Sequence, residues 1–431
     1  MEESLSAPDW QKEIYLNGFA GKRLSAKVSF EKLERKAKKE MSHEAFAYIA
    51  GGAGAEATLR ANRQAFDQWQ IVPRMLRNVS ERDTSIELFG QRLPAPLLFA
   101  PIGVLEMAHS KADIAVAKAA ARLQLPYIFS NQASKPMEAC AAAMGDSPRW
   151  FQLYWSKSND LVLSFLQRAE RCGCKALVVT LDTTLLGWRT RDLDVAYLPF
   201  LEGKGIAQYT SDPVFQNLLD EPDDTQPIKR RVSLQSVLGL ISMVNNYPGN
   251  GFFAKLKSGR PLKAVRKFVS IYSNPATTWD DLSFLRQNTK LPIVLKGIVH
   301  GDDARKALDA GMDGIIVSNH GGRQTDGSIA TMDALPKIVE VVQNRIPVLL
   351  DSGIRGGADV VKALALGAKA VCVGRPYVYG LALAGERGVY EVMRNIMADV
   401  ELTMALAGCR NIGEINREML VSSTFPGVRI Q

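Results

Sequence analysis

An imidazole and a guanidinium, His320 and Arg323, lie three residues apart in the string Ser318-Asn319-His320-Gly321-Gly322-Arg323-Gln324-Thr325-Asp326-Gly327. Together they offer a proton acceptor beside a clamp for an anion. The glycines between them let backbone and ligand approach closely. The preceding apolar run, Gly314-Ile315-Ile316-Val317, reads as a buried parallel strand, so a strand end delivers both side chains. A lone His-x-x-Arg would equally suit a hydrogen-bonded turn histidine and a surface charge, so the weight rests on the whole string.

The same arrangement recurs along the chain. Strands are expected near residues 97–100, 127–130, 150–154, 176–180, 293–296, 314–318, 348–351 and 370–374, each a short continuous apolar run. Continuous rather than alternating apolar character means that both faces are covered, and eight such runs predict an α/β fold of the closed (β/α)8 TIM-barrel type. Helices are expected between them over 112–123, 159–172, 302–310, 332–343 and 358–366. An open doubly wound sheet would carry a Gly-x-Gly-x-x-Gly after its first strand, which is missing here.

Polar residues close these apolar runs. Gln152 and Tyr154 end the third, Thr180 and Asp182 the fourth, Lys296 the fifth, Ser318 and His320 the sixth, Asp351 the seventh and Gly374 the eighth. Buried polar groups cost free energy unless paired, so a ring of them at one barrel end implies a shared polar ligand. After the seventh and eighth strands come Asp351-Ser352-Gly353-Ile354-Arg355-Gly356-Gly357 and Val373-Gly374-Arg375-Pro376. Glycines and an arginine ahead of helix starts are suited to a phosphate.

With 431 residues and 46% hydrophobic content the chain can bury a large core. It is read as a helical cap and lead-in (1–95), a barrel (96–385) with an insertion after the fourth strand (190–288), and a C-terminal helix and tail (386–431). In the cap, residues 30–50 read as one helix, with a second from about Glu56 to Trp69. No run approaches the ~20 apolar residues of a membrane span, and Met1 to Trp10 carries acids where a secretory signal would carry bases, so a cytoplasmic location is expected. Cys140, Cys172, Cys174, Cys372 and Cys409 form no metal or disulfide pattern and read as reduced thiols; His43, His109 and His300 read as structural.

The net charge of +8 arises largely in the insertion, where residues 229–267 hold nine lysines and arginines and no acid. Charge so localised, without interleaved aromatics, excludes a nucleic-acid-binding reading. Lys229-Arg230-Arg231 beside the apolar Val237-Leu238-Gly239-Leu240-Ile241 suits a mobile lid, an oligomer contact, or an anionic membrane surface.

The Ser318 to Gly327 string resembles the signature of the FMN-dependent L-2-hydroxy-acid-oxidising enzymes of the glycolate oxidase type, and the likeness runs from Tyr15 to Met419 apart from the insertion. The resemblance implies that His320 is the base, oriented by Asp182, that Arg323 and Arg189 clamp the substrate carboxylate, and that Tyr48 and Tyr154 add hydroxyl contacts. It further implies FMN as cofactor, with Lys296 beside the flavin, where its charge stabilises the reduced ring. Ser130, Gln152, Thr180 and Ser318 are implied as isoalloxazine or ribityl contacts, and Asp351, Gly353, Arg355, Gly374 and Arg375 as ribityl-phosphate contacts. No metal is required, and a homo-oligomer, a tetramer by likeness, is expected.

Within that family, Arg74-Met75-Leu76, Ala100-Pro101-Ile102-Gly103-Val104, Gly187-Trp188-Arg189 and Asp212-Pro213-Val214-Phe215-Gln216 resemble lactate 2-monooxygenase. Gly103, where many oxidases carry alanine, is expected to leave room to retain pyruvate with peroxide. Asn131 and Gln132 depart from the family's usual pair facing the substrate side chain, which points to room for a polar or longer acid. The reading is therefore oxidation of an L-2-hydroxy acid, L-lactate first, with O2. The alternatives are a membrane-associated dehydrogenase passing electrons to quinone and, from another class, a phosphate-ligand isomerase barrel or a non-catalytic flavin-binding module.

Overall fold

The structure is a computed structural model and describes residues 6–221 and 233–423. Eight parallel strands form its centre: β1 (Leu97–Phe99), β2 (Tyr127–Phe129), β3 (Arg149–Leu153), β4 (Leu177–Thr180), β5 (Ile293–Ile298), β6 (Gly314–Val317), β7 (Val348–Leu350) and β8 (Ala370–Val373). Each pairs with the next, and β8 returns to β1, so the barrel closes as the eight apolar runs required.

Side-chain alternation explains why the runs read as continuously apolar. Leu98, Ile128, Trp150, Val178, Val294, Ile316, Leu349 and Cys372 form one cluster, while their neighbours, such as Phe99, Phe151 and Leu177, belong to a second one shared with the helices. An antiparallel hairpin, Ile86–Leu88 with Gln91–Leu93, contributes Ile86, Leu88 and Leu93 to the first cluster. Its turn residue Phe89 sets its ring 5.4 Å from that of Trp150. That hairpin plugs the barrel with hydrocarbon, and the polar groups gather at the carboxyl ends of the strands.

The cap departs from expectation at one point. Residues 30–50 form two helices, Phe30–Glu40 and His43–Ala50, not one. Ser42 between them is extended, and its hydroxyl accepts the Ala45 N–H at 3.2 Å. A serine side chain that satisfies a free backbone donor competes with helix continuation, and hydrophobic periodicity does not register that competition. Residues 45–50 of the second helix are all buried, and Tyr48 is among them.

The described parts of the long insertion pack against the barrel mouth. Its aromatic residues Phe200, Tyr209, Phe268 and Tyr272 pack ring against ring. Hydrogen bonds fasten it to the segment after β2, among them Ala207 N to Ala133 O at 3.1 Å, Met137 N to Gln208 Oε1 at 3.0 Å, Gln208 Nε2 to Ser130 O at 3.3 Å and Tyr209 OH to Asn131 Oδ1 at 2.7 Å. Helix Leu234–Asn246 leaves Leu234, Val237, Leu238 and Ile241 exposed. Lys229, Arg230 and Arg231 lie outside the described residues. Among those described, no helix is long and apolar enough to cross a membrane.

The five cysteines are free. His109 and His300 each accept a backbone N–H two residues on, at 3.1 Å. Replacing Trp150 by alanine removes the largest fully buried side chain of the barrel interior. The expected cost is about 3–5 kcal/mol, seen as a clear fall in melting temperature, and an unchanged melt would contradict the plugged-barrel packing.

Candidate active site

The ends of β4, β5 and β6 meet in one cluster. His320 Nδ1 lies 2.7 Å from Asp182 Oδ1, which also accepts the Thr183 hydroxyl at 2.9 Å. Lys296 Nζ donates to Ser318 Oγ at 2.9 Å and stands 3.4 Å from Asp351 Oδ2 and 3.9 Å from Asp182 Oδ2. Ser318 Oγ in turn accepts the His320 N–H at 3.1 Å. His320 takes a left-handed backbone, φ 58°, that few non-glycine residues adopt. Gly297, φ 112°, is required, because a Cβ there would come within 3.0 Å of Asp182.

Charge and burial set the protonation states. Burial lowers the His320 pKa from 6.5; Asp182 opposes that shift and Lys296 adds to it. Burial also disfavours charge on Asp182, but His320 and Lys296 outweigh it and hold the carboxyl well below its usual range. For Lys296, Asp351 and then Asp182 overcome desolvation and raise the ammonium pKa. At neutral pH the cluster therefore holds the Lys296 ammonium, the Asp182 carboxylate and a neutral imidazole. Asp182 occupies Nδ1, which leaves Nε2 as the basic nitrogen.

Arginines surround this cluster. Arg323 donates to Tyr48 O and to Gly51 O, the latter at 2.9 Å. Arg189 donates to Arg323 O at 3.2 Å and to Gln324 Oε1 at 3.1 Å, and the guanidiniums of Arg189 and Arg323 lie near the Tyr48 ring, at 5.8 and 5.0 Å. Arg375 binds the carbonyls of Ile49, Gly51 and Gly321 at 3.0–3.1 Å. Among the described residues none of Arg189, Arg323, Arg355 and Arg375 has a carboxylate partner within ion-pair distance. Burial, and then Arg189, pulls the Arg323 pKa down to about 9; burial and Arg375 pull Arg355 down to about 10. Buried cations facing carbonyls and each other are completed by anions.

One cleft of about 1080 Å3, solvent-open mouth included, collects these groups. It is lined by Tyr48, Gln132, Tyr154, Arg189, Lys296, His320 and Arg323 and, farther along, by Asp351, Gly353, Arg355, Gly374 and Arg375. Asp182, Ser130, Gln152, Thr180 and Ser318 are not on its lining; Asp182 and Ser318 bond to lining residues, while Gln152 Oε1 accepts the Asn131 N–H at 3.1 Å and lies 3.4 Å from Ser130 Oγ. Gln152 Nε2, Thr180 Oγ1 and Arg355 Nε are buried with no hydrogen-bond partner. Unsatisfied donors beneath the cleft, and glycines with unpaired arginines at its β7–β8 end, fit a planar heterocycle carrying a phosphate, as FMN does. Gly353, φ 103°, tolerates no side chain, since a Cβ would meet Asn62 O at 2.8 Å.

Some features carry little or no sequence signal. Thr183, which touches both Asp182 and His320, is marked only by directly following Asp182. Ser352 links Asp351 Oδ1 at 2.7 Å to the Gly321 N–H at 2.9 Å. Phe200 and Tyr272 reach the cleft from the insertion, and no local signal marks them. Gly103 lines the cleft beside Gln132, and a Cβ there would lie 3.1 Å from both Cβ and O of that residue. Asn131 is fully buried on Tyr209 and does not face the cleft, whereas Gln132 does.

Residues 37–422 match the model of the FMN-dependent dehydrogenase family. An FMN-dependent alpha-hydroxy acid dehydrogenase of Penicillium citrinum is 41% identical over 97% of this chain and 96% of its own length. The L-lactate oxidase of Lysinibacillus sphaericus is 41% identical over 92% of this chain and 93% of its own. Among solved structures, mandelate oxidase with (S)-4-hydroxymandelic acid superposes with a TM-score of 0.75 at 36% identity, covering 92% of this chain and 98% of that one.

The electrostatics give a signed expectation for the imidazole. The C2 proton of His320 should titrate below 6.5, and in Asp182→Asn, which loses the charge opposing that shift, lower still. NMR titration of the four histidines reads both, and a higher value in the variant would contradict the pairing.

Proposed function

This chain belongs to the FMN-dependent dehydrogenase family and oxidises 2-hydroxy acids with FMN, and we propose that its substrate is L-lactate and its electron acceptor O2. The observation that carries the reading is the 2.7 Å contact of Asp182 with His320 at the floor of an arginine-lined cleft. A relative named L-lactate oxidase at 41% identity supports the substrate.

In this reading Arg323 and Arg189 hold the substrate carboxylate, whose charge relieves the crowding of the two guanidiniums. Tyr48 and Tyr154 donate hydroxyl hydrogen bonds; burial pushes the Tyr154 pKa up to about 12, so it stays protonated as a donor. His320 Nε2 takes the proton of the substrate hydroxyl, and Asp182 stabilises the imidazolium and fixes its orientation. Bound FMN would supply the acceptor for the two electrons and the remaining hydrogen of the substrate. Lys296, kept charged by Asp351 and Asp182, supplies positive charge where negative charge develops. Ser130, Gln152, Thr180 and Ser318 would hold the ring and ribityl chain, and Asp351, Gly353, Arg355, Gly374 and Arg375 the ribityl-phosphate end. In this reading pyruvate and peroxide are the products, which the relative named L-lactate oxidase supports.

A second reading concerns the acceptor. Leu234, Val237, Leu238, Ile241 and Phe253 are exposed on neighbouring helices with Lys257 and Lys263, a pattern suited to an anionic lipid surface and hence to a quinone acceptor. By likeness to the family we also propose a homo-oligomer. Co-sedimentation with vesicles rich in anionic lipid, lost with neutral lipid, would favour this second acceptor.

Anaerobic L-lactate should bleach the visible spectrum of the purified yellow protein, and His320→Ala should slow that bleaching about 10²–10⁴-fold. Undiminished bleaching in the variant would remove His320 as the base. With O2 admitted, reoxidation should be fast and should yield peroxide, with pyruvate from the preceding reduction as the organic product. Acetate and carbon dioxide as main products would restore the monooxygenase outcome, and sluggish reoxidation would favour quinone.

A further inference from the structure

The Asp182 carboxylate is used asymmetrically. Oδ1 receives the His320 Nδ1–H at 2.7 Å and the Thr183 hydroxyl at 2.9 Å, whereas Oδ2 is buried and makes no hydrogen bond. The Thr183 oxygen is also 3.2 Å from His320 Nδ1, so one buried hydroxyl touches both members of the pair. Thr183 makes no contact with the substrate-clamping Arg189 or Arg323 among the hydrogen bonds of the structure, and with Tyr154 it forms the wall between the cleft and an adjoining cavity.

We propose that Thr183 is a positioning residue that keeps His320 basic yet readily deprotonated, by competing with the imidazole for the single oxygen of Asp182 that both use. A carboxylate oxygen that already accepts one hydroxyl proton is a weaker partner for a second donor, so the imidazolium gains less from Asp182 than an unshared oxygen would give it. The same hydroxyl fixes the carboxylate plane and so aims Nε2 at the cleft. The other charged groups acting on His320 are Lys296 from β5 and Arg189 from the segment after β4, both of which oppose protonation, and Asp351 from β7, which acts by holding Lys296. Thr183 is thus the neutral member of a set in which Asp182 alone favours the cation. In catalysis the consequence is a base able to take the hydroxyl proton and give it up again within one turnover, which rests on the role of His320 proposed above.

The test is Thr183→Val against Thr183→Ser in the FMN-loaded enzyme. In Thr183→Val the His320 C2 proton should titrate higher by about 0.5–1 pH unit, a roughly three- to tenfold gain in proton affinity. The acid limb of kcat/KM should move up in parallel, while KM for L-lactate measured above that limb stays within about twofold. Thr183→Ser, which keeps the hydroxyl, should return both to the wild-type position. An unchanged or lowered His320 titration in Thr183→Val, or failure of Thr183→Ser to restore it, overturns the proposal. Because the titration is read without turnover, a shifted imidazole with an unmoved rate profile would uphold the Thr183 contact and count against His320 as the base. Should Thr183→Val not fold, Thr183→Ala provides the same comparison.

Discussion

The structure is governed by the cost of holding cations at a desolvated barrel mouth. Lys296, Arg189, Arg323, Arg355 and Arg375 converge there with Asp182 and Asp351 as the carboxylates nearest the lysine. Burial works against the charges of Arg323 and Arg355 and lowers the pKa of both. Such an arrangement persists because backbone carbonyls solvate the guanidiniums and because anionic ligands complete it. Positive charge without carboxylate partners on the arginines is thereby built into the barrel mouth, and in the proposed reading a carboxylate and a phosphate would complete it.

That constraint explains the parts that are not barrel. The carbonyls of Tyr48, Ile49 and Gly51 that receive Arg323 and Arg375 all come from the cap helix ending at Ala50 and the turn after it. Gly51 itself admits no side chain, since a Cβ would sit 2.6 Å from Ala47 O. The cap is therefore a solvating lid for the arginines as well as the source of the Tyr48 ring. The insertion contributes differently. Bonded to the loop after β2, it brings Phe200 and Tyr272 to the cleft wall and gives that wall an apolar side. One face of the cleft thus selects charge and the other shape.

The Asp182–His320 contact shows how neighbouring strand ends bring side chains together. Thr180 and Lys296 are register partners on β4 and β5, and Asp182 lies two residues beyond the first of them. Period-two alternation turns both Thr180 and Asp182 toward the barrel axis, where Asp182 meets His320 from the end of β6. Gly297 is the residue that lets the backbone of β5 pass so close to Asp182. Small departures from regular strand geometry therefore place the His320 imidazole, with its left-handed backbone, where a regular strand end would not.

Much of this was legible in the chain alone. Continuous apolar runs fix strands covered on both faces, and eight of them with helices between leave a closed barrel as the economical solution; polar residues at the run ends then had to meet, because a barrel brings all its strand ends to one rim. Hence His320, Lys296, Asp182 and the glycine–arginine loops after β7 and β8 could be named from position. Where a decision depended on atoms far apart in sequence, only the tertiary structure made it. Ser42 splits one amphipathic pattern into two helices through a local hydrogen bond that periodicity does not report. The space beside Gly103 depends on a glutamine from the next strand's loop, and the approach of Phe200 and Tyr272 depends on how the insertion docks. Pattern records which face of an element is buried; which side chain fills a given gap is set by packing between elements, and that information exists in the fold alone.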